Sequence, residues 1–190
     1  MNNYLTNYIE FKLLENTDIN INVLRNQLFF QVHRAIVPIN GRAAISFPGY
    51  DDNESFSLGN TLRVFGSNTD LANFLAHLSI SSIRDYVDIS GINNTPSKCQ
   101  YISYSRVQKK GSSALRRFIK RNKLSESDAR DIYDNGKKTY IDLPYINYYS
   151  TSTKNFIKVF ISKSLVINEP KNGVFSSFGL GKGGATVPHF

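Results

Sequence analysis

The sequence lacks several features that define whole classes of protein. It has one cysteine, Cys99, among 190 residues, which excludes an internal disulfide and a zinc site built from several cysteines. No run of apolar residues approaches the roughly 20 that a membrane-spanning helix needs. The opening segment, MNNYLTNYIEFK, has no basic stretch followed by an apolar one, so we expect no signal peptide. These absences indicate a cytoplasmic protein.

Acidic residues are scarce in the second half of the chain. Residues 1–95 hold six Lys and Arg and nine Asp and Glu, whereas residues 96–190 hold 17 and six. A surface that serves solubility alone would not separate the charges in this way. We therefore expect the second half to bind an acidic polymer and the first half to support it.

The most basic segment is 105–123, with eight cations in nineteen residues and no acid. Ser112 or Ser113 can cap a helix there, and no Pro or Gly occurs from Ala114 until Gly136. A solvated helix face is the alternative, but such faces usually mix charges of both signs. The segment has no Trp and no broad apolar face for lipid, so we expect a nucleic-acid partner and no membrane. Its cations are Arg106, Lys109, Lys110, Arg116, Arg117, Lys120, Arg121 and Lys123.

The first half predicts the element order β-α-β-β-α-β. Strands are predicted at 4–14, 43–47, 61–66 and 86–90, and helices at 21–37 and 70–78, the second capped by Asn68 or Thr69. This order is that of ferredoxin-like domains, which include the RNA-recognition motif. We therefore predict an α+β protein with a ferredoxin-like (RRM-like) domain at 1–94.

The second half, 95–190, predicts a basic domain that combines an arginine-rich helix with short β-strands. Residues 91–96 resemble a linker, 125–134 a second helix, and 179–184 a glycine-rich tail. Extended segments are predicted at 101–107, 141–149, 156–161, 165–167 and 174–178.

Histidine and carboxylate positions give the candidate chemistry. His33 lies near the edge of the first helix's apolar stripe, where packing could hold a general base that substrate still reaches. A structural role is the common one for a lone helical histidine. His77 is expected at a helix C-terminus and His189 in solvent. The acids Asp51, Asp52 and Glu54 fall in one loop, which favours a solvated turn over a metal site.

Two polar segments could contact phosphate. The tail 179–184 matches GxGxxG, but only six residues follow Gly184, too few for the helix of a dinucleotide-binding unit. Backbone N–H groups and Lys182 could still approach a phosphate there, and a flexible loop is an equal alternative. Residues 149–154, YSTSTK, offer hydroxyls and a cation, although a polar hairpin turn explains them more simply.

Several motifs together resemble one family over about residues 4–190. They are LFFQVHRAIV, ISFPGYDD, SRVQKK before the arginine-rich helix, KLSESDAR, LPYI before YSTST, FIKVFI, and FGLGKGG before VPHF. In this order and spacing, the chain resembles the CRISPR repeat-processing endoribonucleases of the type I-F (Ypest) system.

The resemblance implies an activity and its partners. A member of this family binds the stem-loop of CRISPR repeat RNA and cuts at the 3′ base of the stem, giving mature crRNA. The cut needs no metal or other cofactor and leaves a 5′-hydroxyl and a 2′,3′-cyclic phosphate. The enzyme then stays on the hairpin beside the other subunits of a type I-F interference complex, in the bacterial cytoplasm.

The resemblance also implies roles for residues. The catalytic histidine falls on His33, and the serine that holds the attacking ribose falls on Ser150. Phe178 replaces an active-site tyrosine of the best-known form, so a hydroxyl is lost while packing against His33 could remain. The resemblance implies that Arg106 and Gln108 read base edges, that Phe156 stacks beneath the stem and that Ser152 lies near Ser150. The implied phosphate contacts are Arg116, Arg117, Lys120 and Arg121. From the basic segment and the glycine-rich tail we add Lys109 and Lys182 to the expected RNA-binding residues.

Three functions remain open from the sequence. The leading hypothesis is a metal-independent endoribonuclease, since RNA supplies its own 2′-hydroxyl nucleophile. A non-catalytic subunit that holds a hairpin RNA is the alternative, favoured by Phe178. A basic structural protein of a ribonucleoprotein is the third.

Overall fold

The computed structural model describes residues 5–15, 18–53, 56–108, 143–150 and 154–190, together with 116, 119–122, 124, 125 and 127. Of Ser150 it describes the backbone alone. The described part is α+β, as predicted. None of its helices is long and apolar enough to cross a membrane.

The first half contains the predicted succession of elements. In chain order they are β1 (Asn7–Leu13), α1 (Ile21–Ile36), β2 (Ala44–Ser46), β3 (Thr61–Gly66), α2 (Asn68–His77) and β4 (Val87–Ile89). The strands form an antiparallel sheet in the order β2-β3-β1-β4. The chain therefore crosses the sheet twice through helices, which cover apolar side chains such as Ile9 and Phe11 of β1.

Apolar spacing fixes the orientation of α1, the helix that carries His33. Leu24, Leu28 and Val32 recur every fourth residue and are buried. Asn20 caps the helix, since its side chain accepts a hydrogen bond from the Asn22 amide at 2.8 Å. The helix ends at Ile36, one residue before the predicted end at 37, and a short 3₁₀ turn follows at Val37–Ile39.

The cap predicted for α2 was wrong. Ser67, not Asn68 or Thr69, is the N-cap, and its Oγ accepts a hydrogen bond from the Asp70 amide at 3.1 Å. Ser67 Oγ also donates to the Asp70 carboxylate at 2.6 Å. Of the three adjacent polar residues Ser67, Asn68 and Thr69, Ser67 is the one that lies three residues before an acid with which it can pair in this way, and it therefore starts the helix.

The second half contributes two further sheets of short antiparallel strands, and one more strand to the first sheet. Its strands are β5 (Asn93–Asn94), β6 (Gln100–Ile102), β7 (Tyr104–Val107), β8 (Tyr145–Ser150), β9 (Asn155–Lys163) and β10 (Val187–His189). β5 joins the first sheet beside β1, β6 pairs with β10, and β9 lies between β7 and β8. The predicted linker at 91–96 was therefore wrong in part, because Asn93 and Asn94 pair with Tyr8 and Asn7.

The C-terminal segment departs most from the sequence prediction. Residues 174–178 form no strand, and 165–167 contribute a single bridge, from Ile167 to Tyr101. The tail is not a flexible loop, because Leu180 and Ala185 are buried and β10 closes the chain against β6. His189, expected in solvent, is half-buried within β10.

One hydrophobic cluster takes residues from both halves, including Phe65 and Ile161. Two tyrosine hydroxyls link the halves within it. Tyr104 donates to the Phe47 carbonyl at 2.9 Å, and Tyr50 donates to the Ile161 carbonyl at 2.8 Å. Burial raises the pKa of Tyr104 to about 12. Both hydroxyls therefore act as neutral donors that fix the second half on the first.

We expect Tyr104→Phe to lower the free energy of unfolding by about 1–2 kcal/mol, because the Phe47 carbonyl loses a buried donor. Denaturant titration measures the change. Tyr149→Phe is the matched control, since Tyr149 is 41% exposed and we expect a loss below about 0.5 kcal/mol. Equal losses in the two variants would contradict the role given to the Tyr104 hydroxyl.

The predicted helices of the basic region fall largely outside the described residues. Of the segment 105–123, Arg116 and residues 119–122 have helical backbone. Of the predicted helix at 125–134, only 125 and 127 are described.

Candidate functional site

His33 lies in the last turn of α1, enclosed by aromatic rings. The Phe178 ring stacks on its imidazole with centroids 4.2 Å apart and planes 15° apart. Tyr148 of β8 meets it edge-on at 5.1 Å. His33 is 9% exposed, less than its position at the edge of the stripe predicted, because the C-terminal segment and β8 cover it.

The Ser177 carbonyl fixes the tautomer of His33. His33 Nδ1 lies 2.8 Å from that carbonyl oxygen, which can only accept, so Nδ1 carries the proton and donates it. Nε2 is then the nitrogen with a free lone pair. A backbone carbonyl behind a histidine in this way orients the ring for proton transfer at its other nitrogen.

Burial lowers the pKa of His33, and the positive charge of Arg106 lowers it further, while the hydrogen bond to Ser177 raises it in part. The ordinary value is 6.5, so the lowered pKa leaves the ring neutral at pH 7. A neutral imidazole with a free Nε2 can accept a proton.

This lowered pKa makes stability depend on pH. In the unfolded chain His33 binds a proton as the pH falls through about 6.5, whereas the folded chain resists until its lower pKa is reached. We therefore expect the free energy of unfolding to fall as the pH drops below about 6.5. Denaturant titrations at pH 7.5, 6.5 and 5.5 measure it.

The matched variant for the pH series is His33→Gln. His189 also has a pKa lowered by burial, but it contributes equally to both proteins. The difference between wild type and His33→Gln isolates His33. Parallel pH curves for the two proteins would contradict the lowered pKa of this histidine.

A tight turn holds Phe178 against His33. Ser176 Oγ accepts hydrogen bonds from the amides of Phe178 and Leu180, both at 3.3 Å. Gly179 has a φ of +71°, and a Cβ there would lie 2.8 Å from Ile45 Cγ2, so glycine is required. Its carbonyl also accepts from the Ile45 amide at 2.9 Å. The GxGxxG match therefore includes a glycine that positions the ring beside His33.

Next to Phe178 lies a cavity of about 340 Å³ that Arg106, Gln108 and Lys182 line together. Residues of two segments that are distant in sequence, around 106–108 and at Lys182, thus meet at one place. The Arg106 guanidinium lies 5.0 Å from the centre of the Phe178 ring. Its Nε is buried and has no hydrogen-bond partner among the described residues. A buried donor facing a cavity can bind an acceptor supplied by a ligand.

The other predicted site residues are spread more widely. Phe156 is 78% exposed and meets Tyr149 edge-on at 5.1 Å. Ser150 ends β8 opposite Asn155. Exposed cations are found at Arg116, Lys120 and Arg121, while Lys109, Arg117 and Ser152 lie outside the described residues.

Sequence reasoning missed Tyr148 and Ser177. Tyr148 carried a signal, since it follows buried Ile146 with the period of two that places residues on one face of a strand. Ser177 carried none, because it acts through its backbone carbonyl, which is the same in every residue.

The acidic loop forms no metal site among the described residues, where no three of His, Cys, Asp and Glu cluster. Asp51 pairs with Ser57 in a β-bridge, and Asp52 lies 3.2 Å from the Lys163 ammonium. Glu54 is not described. The Asp51 carboxylate accepts a hydrogen bond from the Asn53 amide at 2.9 Å within the turn, whereas the Asp52 carboxylate pairs with Lys163 of β9.

The chain matches the family described as CRISPR-associated protein (Cas_Csy4) over residues 8–190. It is 31% identical to the CRISPR-associated endonuclease Cas6/Csy4 of Pseudomonas aeruginosa (strain UCBPP-PA14), over 98% of this chain and 100% of the relative. The same coverage gives 30% identity to the CRISPR-associated endonuclease Cas6/Csy4 of Escherichia coli (strain UTI89 / UPEC). The resemblance drawn from the sequence is thereby confirmed, and the chain belongs to the Csy4 family of CRISPR-associated proteins.

Proposed function

We propose that this protein is a metal-independent endoribonuclease that cuts CRISPR repeat RNA at the 3′ base of its stem-loop to give mature crRNA. The relatives named endonucleases support the activity class. The observation that carries the proposal is His33, whose Nδ1 donates to the Ser177 carbonyl so that Nε2 is left to take a proton.

The proposed reaction uses the 2′-hydroxyl of the RNA itself. His33 Nε2 takes the hydroxyl proton, and the oxygen attacks the adjacent phosphorus. The bond from phosphorus to the 5′-oxygen of the next nucleotide breaks, and that oxygen takes up the proton that His33 accepted, which returns the imidazole to its neutral form. The products are a 2′,3′-cyclic phosphate and a 5′-hydroxyl, so water and metal take no part.

Protein groups around the phosphate would stabilise the negative charge that develops in this reaction. Lys182 lines the cavity next to Phe178 and would supply positive charge. Ser150 would hold the attacking ribose. Phe178 would hold the imidazole in the orientation for proton transfer by packing alone, since its ring has no hydroxyl.

The same proposal assigns binding roles to the remaining residues. Arg106 and Gln108 would read base edges at the bottom of the stem, and the exposed Phe156 would stack beneath it. Cations of the segment 105–123 would contact backbone phosphates of the RNA; they include Lys109, Arg116, Arg117, Lys120 and Arg121. Ser152 would contact the RNA near Ser150. The protein would remain on the hairpin as a subunit of a type I-F interference complex.

The element order of the first half and the strand order β2-β3-β1-β4 support a ferredoxin-like fold for residues 1–94. We assign 95–190 to a basic RNA-binding domain with an arginine-rich helix. The helical backbone at Arg116 and 119–122 supports that helix.

A hairpin-binding subunit without activity is the second candidate function. The observation that favours it is Phe178, because its ring occupies the place beside His33 without the hydroxyl expected there. Such a subunit would use the same basic surface and the same cavity.

The test is incubation of the protein with its repeat RNA in EDTA, beside the same RNA carrying a 2′-deoxy sugar at the nucleotide before the cut. We expect cleavage of the first RNA and none of the second, with equal binding. Tight binding of both RNAs without cleavage would establish the binding subunit instead. Cleavage that requires added metal would overturn the mechanism.

A further inference from the structure

Arg25 is a buried cation whose partners are neutral. It is 7% exposed, yet its Nε donates to the Gly59 carbonyl at 2.7 Å and its Nη2 to Ser57 Oγ at 3.3 Å. Nη1 donates to the side chain of Asn22, and no described acid forms an ion pair with the guanidinium. Burial lowers the pKa of Arg25. A buried charge without a counter-ion is costly, so an anion that reached it would be held strongly.

A cavity of about 350 Å³ adjoins this guanidinium. Hydrogen-bonding side chains line it, namely Asn22, Asn26, Ser57, Tyr145 and Asn147, and none of its described lining residues is acidic. The Lys158 ammonium lies 4.3 Å from the centre of the Tyr145 ring. Helix α1 also begins at this cavity, which Ile21 and Asn22 line, so the positive end of the helix dipole lies here. We call this cavity the Arg25 pocket.

The Arg25 pocket continues into a second, more apolar cavity of about 580 Å³. The two share Asn26 and Asn147, and Val23, Phe30, Tyr149 and Phe156 line the second. We call this second cavity the aromatic groove. Phe30 lies 5.8 Å from Tyr148, the ring that meets His33. The aromatic groove and the Arg25 pocket therefore form one path along α1, from the neighbour of His33 to the start of the helix.

We propose that this path binds single-stranded RNA flanking the stem-loop, with a backbone phosphate in the Arg25 pocket and bases against Phe30 and Tyr149. The inference rests on the proposed function. Proteins bind single-stranded nucleic acid through exposed aromatic rings beside a cationic pocket, because every base can stack and every nucleotide brings a phosphate. A protein segment could also cover the aromatic groove. A peptide backbone is neutral, however, whereas every nucleotide of RNA carries a phosphate that could pair with the buried Arg25 cation, so the cation favours RNA.

The path has the right length for a few nucleotides. Phe30 and Asn22 are eight residues apart on α1, which is roughly 12 Å along the helix axis. The strand would thus leave the stem near His33 and run toward the start of α1.

The experiment compares the bare hairpin with the hairpin carrying single-stranded flanks on both sides. Both RNAs carry the 2′-deoxy sugar at the scissile nucleotide, so binding is measured without cleavage. We expect wild type to bind the flanked RNA about tenfold more tightly than the bare hairpin. Arg25→Gln and Tyr149→Ala should each remove most of that gain, and Arg25→Gln should leave the dissociation constant of the bare hairpin unchanged.

Salt dependence separates the phosphate contact from stacking. A plot of the logarithm of the binding constant against the logarithm of the salt concentration has a slope that reports phosphate contacts. Loss of one contact should reduce the steepness of that slope by about 0.7 in Arg25→Gln, but not in Tyr149→Ala. Lys12→Ala, an exposed cation of β1, is the matched control and should keep the full gain. Lys158→Ala tests the same pocket from the surface if Arg25→Gln lowers the melting temperature.

Two outcomes would overturn the inference. One is a wild type that gains nothing from the flanks. The other is a gain that survives Tyr149→Ala and Lys158→Ala, as a groove reserved for a protein partner would give. Both differ from failure of the proposed function, which would show as weak binding of the bare hairpin or no cleavage of unmodified RNA.

Discussion

His33→Ala is expected to abolish cleavage of repeat RNA while leaving the dissociation constant for the hairpin within about twofold. Among the described residues, the His33 imidazole is the base that stacks on the Phe178 ring, and its loss removes proton transfer from the 2′-hydroxyl. General base catalysis contributes roughly 10²- to 10⁴-fold to rates, so single-turnover cleavage should fall by at least that much. Binding should persist because His33 is 9% exposed and offers little surface to RNA.

A matched histidine controls for non-specific effects. His77 ends α2, with its Nδ1 2.8 Å from the Asn73 carbonyl, and His77→Ala should cut at the wild-type rate. Circular dichroism and the melting temperature check that His33→Ala remains folded. Normal cleavage by folded His33→Ala would remove His33 from the catalytic role.

Arg106→Ala should weaken hairpin binding by about 10- to 100-fold, the loss expected when a side chain that reads a base edge is removed. Arg106 lines the cavity next to Phe178, and its buried Nε has no described partner, so RNA is the acceptor that would satisfy it. Fluorescence anisotropy at several salt concentrations measures the effect. Arg84→Ala is the matched control, because Arg84 is exposed and belongs to the first half of the chain, outside the basic segment.

The same variant has a second effect that a general loss of binding would not produce. The charge of Arg106 lowers the pKa of His33, so its removal should raise that pKa. The acidic limb of the single-turnover rate profile, measured at saturating protein, should then move to higher pH. An unchanged limb would show that Arg106 does not act on His33, even if binding is lost.

The elements of the first half were predictable because each shows its own periodicity. The apolar spacing of Leu24, Leu28 and Val32 indicates a helix, and the segment 61–66 was predicted at the bounds that the structure has. Their order then limits the topology. The site was only partly predictable, since a helical wheel places His33 at an edge but does not show what covers it.

What covers His33 comes from far away in sequence. Phe178 and Ser177 reach it because a turn at Gly179 is fixed to β2 through the Ile45 amide, a contact that no local pattern encodes. The burial of Arg25 had a local signal, because it shares a helix face with buried Leu28 and Phe29, three and four residues later. Its partners had none, since the Gly59 carbonyl that accepts from its Nε lies far away in sequence.

The chemical ends of the RNA fragments test the central claim most directly. Mass spectrometry of the upstream fragment, from a reaction in EDTA, distinguishes attack by the 2′-hydroxyl from attack by water. Our account predicts a 2′,3′-cyclic phosphate on the upstream fragment and a 5′-hydroxyl on the downstream one. A 3′-hydroxyl upstream with a 5′-phosphate downstream would contradict it, because water would then be the nucleophile and His33 would have no 2′-hydroxyl to activate.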